Sequence, residues 1–490
     1  MTIKDKIGTS LTNFMYPYIQ SQFKDRGDMM PKKANEREEF KLKENYLWWL
    51  GQEDLLADFY QTRSIVTNLI DVRAEYYYSN ANNNIRIVHS GLPNLISSSK
   101  ARLLMGGGVE YKVLNGEKED ETSTQILQDI YIDNKLDTII SNSVNNESWG
   151  KKFAWKISND PEVSDYPIVE LYKPFNYKCI YKRGRLQAII FINEYIKDKV
   201  KYELEEEYGK GYIEYYLYKI TDTSRIPCEL GELEETTELQ PVKLSKKKML
   251  AGEKHVDKGD YDNLISEFDA LDETWSQLMD EIRLGRSETY IPDMLTDNKS
   301  FNKFRKNFTV LGTDERENGK NEIKHVQPEI RTEQYISAIS TITNNCLTSC
   351  GLSPFTVGIQ DKIGANASGE NLTKREMTSL RTRQDMIKSW EEFLEEMFDT
   401  LLYAYAVFNK KQYKEQEIQV SFGDYVSPSR SEIIADTKIL KDAEIIDGEK
   451  ALDEVYGDEL DEEEKLRILA NLGNVSFAET PIIEEPIIKE

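Results

Sequence analysis

Carboxylates are the densest group of potentially reactive side chains in this sequence, and they lie in residues 260–285. Oxygen ligands of this kind bind Mg²⁺ or Mn²⁺, and such a metal could support the cleavage of nucleic acid. The candidate ligands are Asp262, Asp269, Asp272 and Glu273. Apolar residues repeat at helical spacing between these carboxylates. The simpler interpretation is therefore an amphipathic helix with a solvated acidic face.

Cysteine and histidine offer little further chemistry. Cys346 and Cys350 are one helical turn apart, but none of the three histidines, His89, His255 and His325, is near them in the sequence. Structural zinc sites need four such ligands, so we expect ordinary buried thiols. The sequence also shows no phosphate-binding glycine loop and no nucleophile motif. We therefore predict a protein that is not an enzyme and that uses no cofactor or metal.

The overall composition limits the possible partners. The chain has 490 residues and a formal net charge of -24. Binding of nucleic acid depends on Lys and Arg that neutralise phosphates, so this charge argues against a simple basic nucleic-acid binder. It still allows a protein that lets DNA pass without holding it. Four cysteines without disulfide or zinc spacing, and no apparent signal peptide, predict a protein of the reducing cytoplasm.

One segment departs from this composition. Residues 334–360 contain no Lys, Arg, Asp or Glu, although 31% of the chain is charged. A membrane span is excluded, because Asn344, Asn345, Gly351 and Pro354 interrupt any apolar run of sufficient length. The remaining interpretation is a surface that is packed against a neighbour or that faces a pore.

Helical periodicity predicts three helices around this segment, at 260–285, 332–350 and 373–408. A glycine-bearing loop, 351–372, joins the last two. The long third helix is predicted to begin at a capping box formed by Thr373 and Glu376. Its basic residues precede its acidic residues, which is opposite to the preference of the helix dipole. We therefore expect neighbouring elements to determine the positions of these charges.

The first half of the chain combines helices and strands. The aromatic run around Trp48, Trp49 and Phe59 predicts a core anchor, and residues 89–105 are predicted to form a helix that ends in a glycine stop. Alternating patterns predict an antiparallel meander with strands at 168–172, 178–182, 186–193, 200–206 and 212–220. Residues 221–256 are predicted to be loop-like. These elements indicate the α+β class.

The insertion between the first two helices combines a basic patch with interleaved aromatic residues. Its members are Lys299, Phe301, Lys303, Arg305 and Lys306. Two short strands, 308–311 and 322–327, follow and are joined by a loop that contains Asn318 and Gly319. After the long helix we predict a strand at 417–422, a helical tail to residue 472 and a flexible end.

The ordered set of these segments resembles the portal (head-to-tail connector) proteins of tailed bacteriophages, of the siphophage type found in phages of Gram-positive bacteria. The resemblance covers residues 40–472. Its most specific part runs from Gly351 and Pro354 through Asn366, Gly369 and Asn371 into the long helix. The other segments that carry it are 48–51, 59–60, 89–93, 186–195, 202–208, 261–275 and 443–472.

The resemblance implies a phage portal fold and a dodecameric ring around a DNA channel at one vertex of the viral head. It also implies a division of this chain into named regions. These are an N-terminal segment (1–45), a wing (46–259), stem helix 1 (260–286), a clip (287–331), stem helix 2 (332–352), a tunnel loop (353–372), the long helix with its return to the wing (373–424), a crown (425–475) and a flexible tail (476–490).

The same resemblance implies partners and the residues that meet them. The tunnel loop would face the passing double-stranded DNA through Gly358, Lys362, Gly364, Asn366, Ser368 and Gly369. The clip would face the terminase large subunit and later the head-tail adaptor, and its patch, Lys299, Phe301, Lys303, Arg305 and Lys306, would contact either such a protein partner or DNA. Other partners would be further copies of the chain, the major capsid protein and the scaffolding protein. The protein would be made in the bacterial cytoplasm and would become part of the virion, without membrane contact.

Two other functions remain open from the residues alone. A structural or scaffold protein of the virion would assemble without conducting DNA. A metal-dependent enzyme acting on nucleic acid would use the carboxylates of residues 260–285. A ring with an axial hole in electron micrographs, and a nuclease assay with Mg²⁺ or Mn²⁺, distinguish these alternatives from a portal.

Overall fold

A computed structural model describes residues 32–66, 78, 86–116, 118–221, 224–285, 288–292, 308–311, 324–359, 369–424, 437, 438, 441, 450 and 467. The chain divides into two compact units, Met1–Gly423 and Asp424–Glu490. The helices and strands given below all belong to the first unit. The predicted helical tail and flexible end lie almost entirely outside the described residues.

Helices make up a large part of the first unit. They are α1 (Lys32–Leu50), α2 (Glu53–Val66), α3 (Leu92–Met105), α4 (Glu121–Asp133), α5 (Leu136–Gly150), α6 (Ile265–Leu284), α7 (Thr332–Ser349) and α8 (Gly369–Phe408). The three helices predicted in the second half of the chain correspond to α6, α7 and α8. None of the described helices is both long enough and apolar enough to cross a membrane.

The start of α8 differs from the prediction. The helix begins at Gly369, so Thr373 and Glu376 lie within it and do not cap its first turn. Continuation of the helix toward its N-terminus adds a backbone hydrogen bond for each residue, and this gain outweighs the local capping preference.

Within the described residues, the strands form four sheets. They are β1 (Val109–Asn115), β2 (Lys118–Glu119), β3 (Lys152–Ser158), β4 (Ile168–Tyr172), β5 (Tyr177–Lys182), β6 (Arg185–Lys197), β7 (Val200–Gly209), β8 (Tyr212–Ile220), β9 (Arg225–Cys228), β10 (Val242–Lys243), β11 (Ala251–His255), β12 (Glu288–Pro292), β13 (Phe308–Leu311), β14 (Lys324–Val326) and β15 (Glu417–Phe422). Together with the helices they confirm the α+β class.

The largest sheet has six strands in the order β10-β8-β7-β6-β5, with β9 also paired to β8. Strands β5 to β8 form the predicted antiparallel meander. The first predicted strand, β4, instead joins β3 and β11 in a separate sheet. The sequence pattern missed β3 because its five central residues are all buried, so polar and apolar positions do not alternate.

Two further segments correct the sequence-based expectations. Residues 221–256, expected to be loop-like, contain β9, β10, β11 and two short 3₁₀ turns. In the insertion, β12 pairs in parallel with β13 and antiparallel with β14. The two strands predicted there therefore flank β12 and do not pair with each other. A two-residue connection would have imposed a hairpin, whereas residues 312–323 are long enough to let a third strand enter between them.

The C-terminal half of α8 lies in the main core. Trp390, Leu394 and Leu401 are completely buried, and the Trp390 ring stacks on Phe153 at a centroid distance of 5.3 Å. β15 then returns to pair with β1. Two charged residues of α8 are bound by neighbouring elements: Arg383 Nε donates to the Leu103 carbonyl across 2.8 Å, and Asp399 pairs with Lys248.

The aromatic run near the N-terminus is the predicted core anchor. Trp48, Leu56 and Tyr60 are completely buried. Trp48 Nε1 donates to the Tyr60 hydroxyl at 3.0 Å, and this hydroxyl donates to Glu44 at 2.7 Å. The polar atoms of these large rings are thus satisfied inside the core.

Candidate functional site

Helices α6 and α7 pack as an antiparallel pair. Near the start of α6, Cys346 Sγ lies 3.3 Å from Glu267 Oε2. Near its end, Arg331 Nε donates to Glu281 Oε1 across 3.0 Å. The first contact joins the start of α6 to the end of α7, and the second joins the end of α6 to the start of α7. The two helices therefore lie side by side and run in opposite directions.

The first part of the charge-free segment lies on α7, where its side chains are largely exposed. From residue 334 to residue 345 no residue of α7 is buried and none is charged. Ile336 is 53% exposed, and Met279 and Ile282 of α6 are each 43% exposed. Helices in a soluble protein normally bury one apolar stripe, and an exposed apolar group of this kind marks a site of contact with another molecule.

The loop after α7 is attached to α8 at its beginning. Thr382 Oγ1 donates to the Gly351 carbonyl at 2.7 Å, and the Ser353 amide donates to Ser379 Oγ at 2.8 Å. Gly351 and Gly358 have φ values of 72° and 82°, a conformation that glycine adopts without steric cost. The first residues of the loop therefore have a defined position on α8.

The predicted partner-binding residues are only partly described. Gly358 lies in the anchored part of the loop, and Gly369 is the first residue of α8. The other predicted loop residues, Lys362, Gly364, Asn366 and Ser368, lie outside the described residues. The same holds for the complete basic patch, Lys299, Phe301, Lys303, Arg305 and Lys306.

Two acidic residues of α6, Asp269 and Asp272, are not part of the solvated face that the sequence predicted, whereas Glu267, Glu273, Asp280 and Glu281 are partly exposed. Asp272 is completely buried and Asp269 is 4% exposed. Asp272 accepts hydrogen bonds from the Tyr78 hydroxyl at 2.8 Å and from the Ser90 amide at 2.8 Å, and its Oδ2 lies 2.7 Å from His89 Nδ1. These donors replace water, so the carboxylate is stable inside the protein.

Each of the four candidate metal ligands has a partner within the protein. Asp262 pairs with Lys151 at 2.7 Å, Asp269 accepts from the Tyr78 amide at 3.3 Å, and Glu273 accepts from Gln277 at 2.8 Å. Within the described part of the chain, no three His, Cys, Asp or Glu side chains are placed to hold a metal ion. The carboxylates therefore act there as structural acceptors.

Cys346 near the end of α7 and Cys350 just after it are buried thiols. Burial raises the pKa of the Cys350 thiol to about 12, and it also raises the pKa of Cys346, which contacts Glu267. The thiolate is the form that binds metals and attacks substrates. Both groups therefore remain protonated near neutral pH.

The sequence did not predict the buried ion pair of Lys156 or the partly buried one of Arg225. Lys156 Nζ lies 3.0 Å from Glu206 in the interior, and Arg225 lies 2.8 Å from Glu203. Burial raises the pKa of Glu206, and the Lys156 ammonium acts in the opposite direction. A lysine inside the otherwise apolar strand β3 is the sequence signal that could have indicated such a pair.

Comparison with known proteins places this chain in a family. No curated protein matches it. The family of phage portal proteins described as SPP1 Gp6-like matches residues 33–474, which include α1 to α8 almost completely. The chain therefore belongs to the SPP1 Gp6-like family of phage portal proteins, the structural components of the bacteriophage virion that act in genome packaging and connect head and tail.

Proposed function

We propose that twelve copies of this chain form a closed ring at one vertex of the capsid, and that double-stranded DNA enters and leaves the head through its axial channel. The observation that carries this proposal is the uncovered, charge-free surface of α7. Uncharged Ser, Thr and Asn side chains lining a channel would neither bind the phosphates tightly nor exclude them, so a duplex could slide.

The exposed apolar residues of the helix pair support the ring in a different way. A ring of identical subunits uses one heterologous interface that closes on itself. Ile336, Met279 and Ile282 would be buried there against the adjacent subunit. In this arrangement α6 and α7 are the stem, residues 353–368, which precede α8, are the tunnel loop and residues 425–475 are the crown.

The remaining partners follow from the family. The clip, residues 287–331, would bind the terminase large subunit during packaging and the head-tail adaptor afterwards. The outer surface would contact the major capsid protein and the scaffolding protein. Charge reversal at Lys303 and Arg305 should then weaken terminase and adaptor binding without preventing ring formation. The matched control is the same reversal at Lys112 and Lys118, which are exposed on or beside β1 and β2.

Electron microscopy and mass photometry of the purified protein test the proposal. We expect rings with an axial hole and a mass of twelve chains. A stable monomer, or particles without an axial hole, would contradict the channel function. Mg²⁺-dependent or Mn²⁺-dependent cleavage of DNA by the purified protein would support the enzymatic alternative, and D262N and E273Q variants would show whether these carboxylates are responsible.

A further inference from the structure

The turn between β5 and β6 carries three cations within four residues, Lys182, Arg183 and Arg185. Lys182 pairs with Arg185 across the hairpin, and both turn residues, Arg183 and Gly184, have positive φ values of 53° and 73°. Two-residue turns of this type favour Asn or Gly at the first position. An arginine there is less favourable for the fold, which suggests that its charge has a separate use.

These cations are available to a partner. Lys182, Arg183 and Arg185 are exposed, and within the described part of the chain none of them forms an ion pair. Together with Gln187 they line a pocket at the surface. Because the chain has a net charge of -24, these three neighbouring cations form a local patch of the opposite sign. We call residues 180–187 the basic hairpin.

The basic hairpin has a defined position and a mixed surface. The Tyr181 hydroxyl donates to Glu253 of β11, which connects the hairpin to the neighbouring sheet. Beside the cations, Ile180 is 41% exposed and Tyr181 is 48% exposed. Arginine next to exposed aromatic and aliphatic side chains is typical of protein interfaces.

A surface of opposite charge lies at the other edge of the same sheet. Residues 229–238 belong to the connection between β9 and β10. They contain five glutamates and no Lys or Arg: Glu229, Glu232, Glu234, Glu235 and Glu238. All five are exposed. Strands β9 and β10 both pair with β8, whereas β5 forms the opposite edge. We call residues 229–238 the acidic segment.

The charge of the acidic segment is not neutralised by the cations around it. Arg225 of β9 lies 2.8 Å from Glu203 and 2.9 Å from Glu205. Lys197 reaches the segment but donates to the backbone carbonyl of Glu232. Exposed apolar groups are present here too, since Ile226 is 45% exposed and Tyr216 is 41% exposed. The two edges therefore carry opposite charges, and both have exposed apolar residues.

We propose that the basic hairpin of one copy docks on the acidic segment of the adjacent copy. This inference rests on the proposed ring and names a contact within it. A head-to-tail interface needs two different complementary surfaces on one chain, and the two edges of the six-stranded sheet provide them. Phosphates of DNA would satisfy the cations of the hairpin, but they would leave the acidic segment and the exposed apolar residues at both edges without partners.

Two variants and their mixture test the contact. R183E/R185E places two glutamates against the acidic segment, and E234K/E235K places two lysines against the basic hairpin. Like charges across the interface should weaken association of either variant alone by roughly tenfold or more per contact. When the two variants are mixed, reversed hairpins meet reversed segments and native hairpins meet native segments. Alternating rings should then form, as seen by mass photometry and electron microscopy.

A matched control separates this contact from a general effect of charge. K135E/K410E makes the same change in net charge at two exposed cations that also have positive φ, and it should assemble like the wild-type protein. Circular dichroism should show the same folded content in all variants.

The possible outcomes are distinct. If each charge-reversed variant alone formed rings as well as the wild type, the proposed contact would be wrong. The proposed channel function would not be affected by this result. If R183E/R185E also lost DNA binding in a gel-shift assay while keeping its rings, the hairpin would be a nucleic-acid site and the proposal would again be wrong. A wild-type protein without an axial hole would instead contradict the proposed function itself.

Discussion

His89 Nδ1 lies 2.7 Å from the Asp272 carboxylate, although the two residues are 183 positions apart in the chain. The carboxylate is completely buried in the middle of α6. The residues just before α3 are thereby attached to α6, because the Ser90 amide and the Val88 amide also donate to α6 side chains, at 2.8 and 2.9 Å. This contact positions one of the two helices that we propose as the stem.

Replacement of Asp272 by Ala should destabilise the protein by about 3 kcal/mol, because it leaves buried donors of His89, Tyr78 and Ser90 without an acceptor. Urea unfolding of the wild type and the variant measures the difference. The matched control is Glu273→Ala, which removes only a partly exposed bond to Gln277 and should change the free energy of unfolding by less than about 0.5 kcal/mol. Equal losses in the two variants would show that the buried network is not the cause.

Tyr172 should make the protein sensitive to alkaline pH. Burial raises its pKa to about 12, while a tyrosine in the unfolded chain ionises near pH 10. Its contribution to stability is therefore complete below pH 10 and is lost as the pH rises from 10 to 12. In Tyr172→Phe this loss should be smaller by about 2 to 3 kcal/mol, as measured by urea unfolding at a series of pH values. An unchanged pH dependence would assign the effect to other groups.

Ile336 should contribute to assembly more than to the folding of one chain. It is 53% exposed on α7, so an aspartate there leaves the subunit folded but places a charge in the proposed interface. We expect Ile336→Asp to raise the concentration needed for ring formation by roughly tenfold, as measured by mass photometry. Ile132→Asp is the control, since Ile132 is 64% exposed on α4. Rings of normal stability from Ile336→Asp would exclude this residue from the interface.

Lys362 should act on DNA within the channel. It is the one cation predicted in the tunnel loop, where it would meet passing phosphates. We expect Lys362→Glu to lower the number of DNA-filled heads several-fold or to reduce DNA retention, while purified rings remain intact. Lys362→Arg keeps the charge and should package normally. Wild-type packaging by the glutamate variant would remove this role.

Much of the architecture could be predicted because it depends on local pattern. The 3.6-residue periodicity of α6, α7 and α8 and the two-residue alternation of β5 to β8 report which face of each element is apolar. The core position of Trp48 follows from its size and apolar neighbours. The predictions failed where this pattern is weak, as in β3, which is buried on both faces, and at the start of α8, where two helical beginnings were possible.

The α+β class, the charge-free segment of α7 and membership in the portal family could be predicted from the order and periodicity of the residues. The burial of Asp269 and Asp272 depended on the tertiary structure. Their spacing is compatible with a solvated face, but Tyr78, His89 and Ser90, which are distant in the sequence, contact the two carboxylates in the interior. The tertiary structure also placed the basic hairpin and the acidic segment at opposite edges of one sheet. Such relationships depend on which distant elements pair, and periodicity along one element carries no information about that.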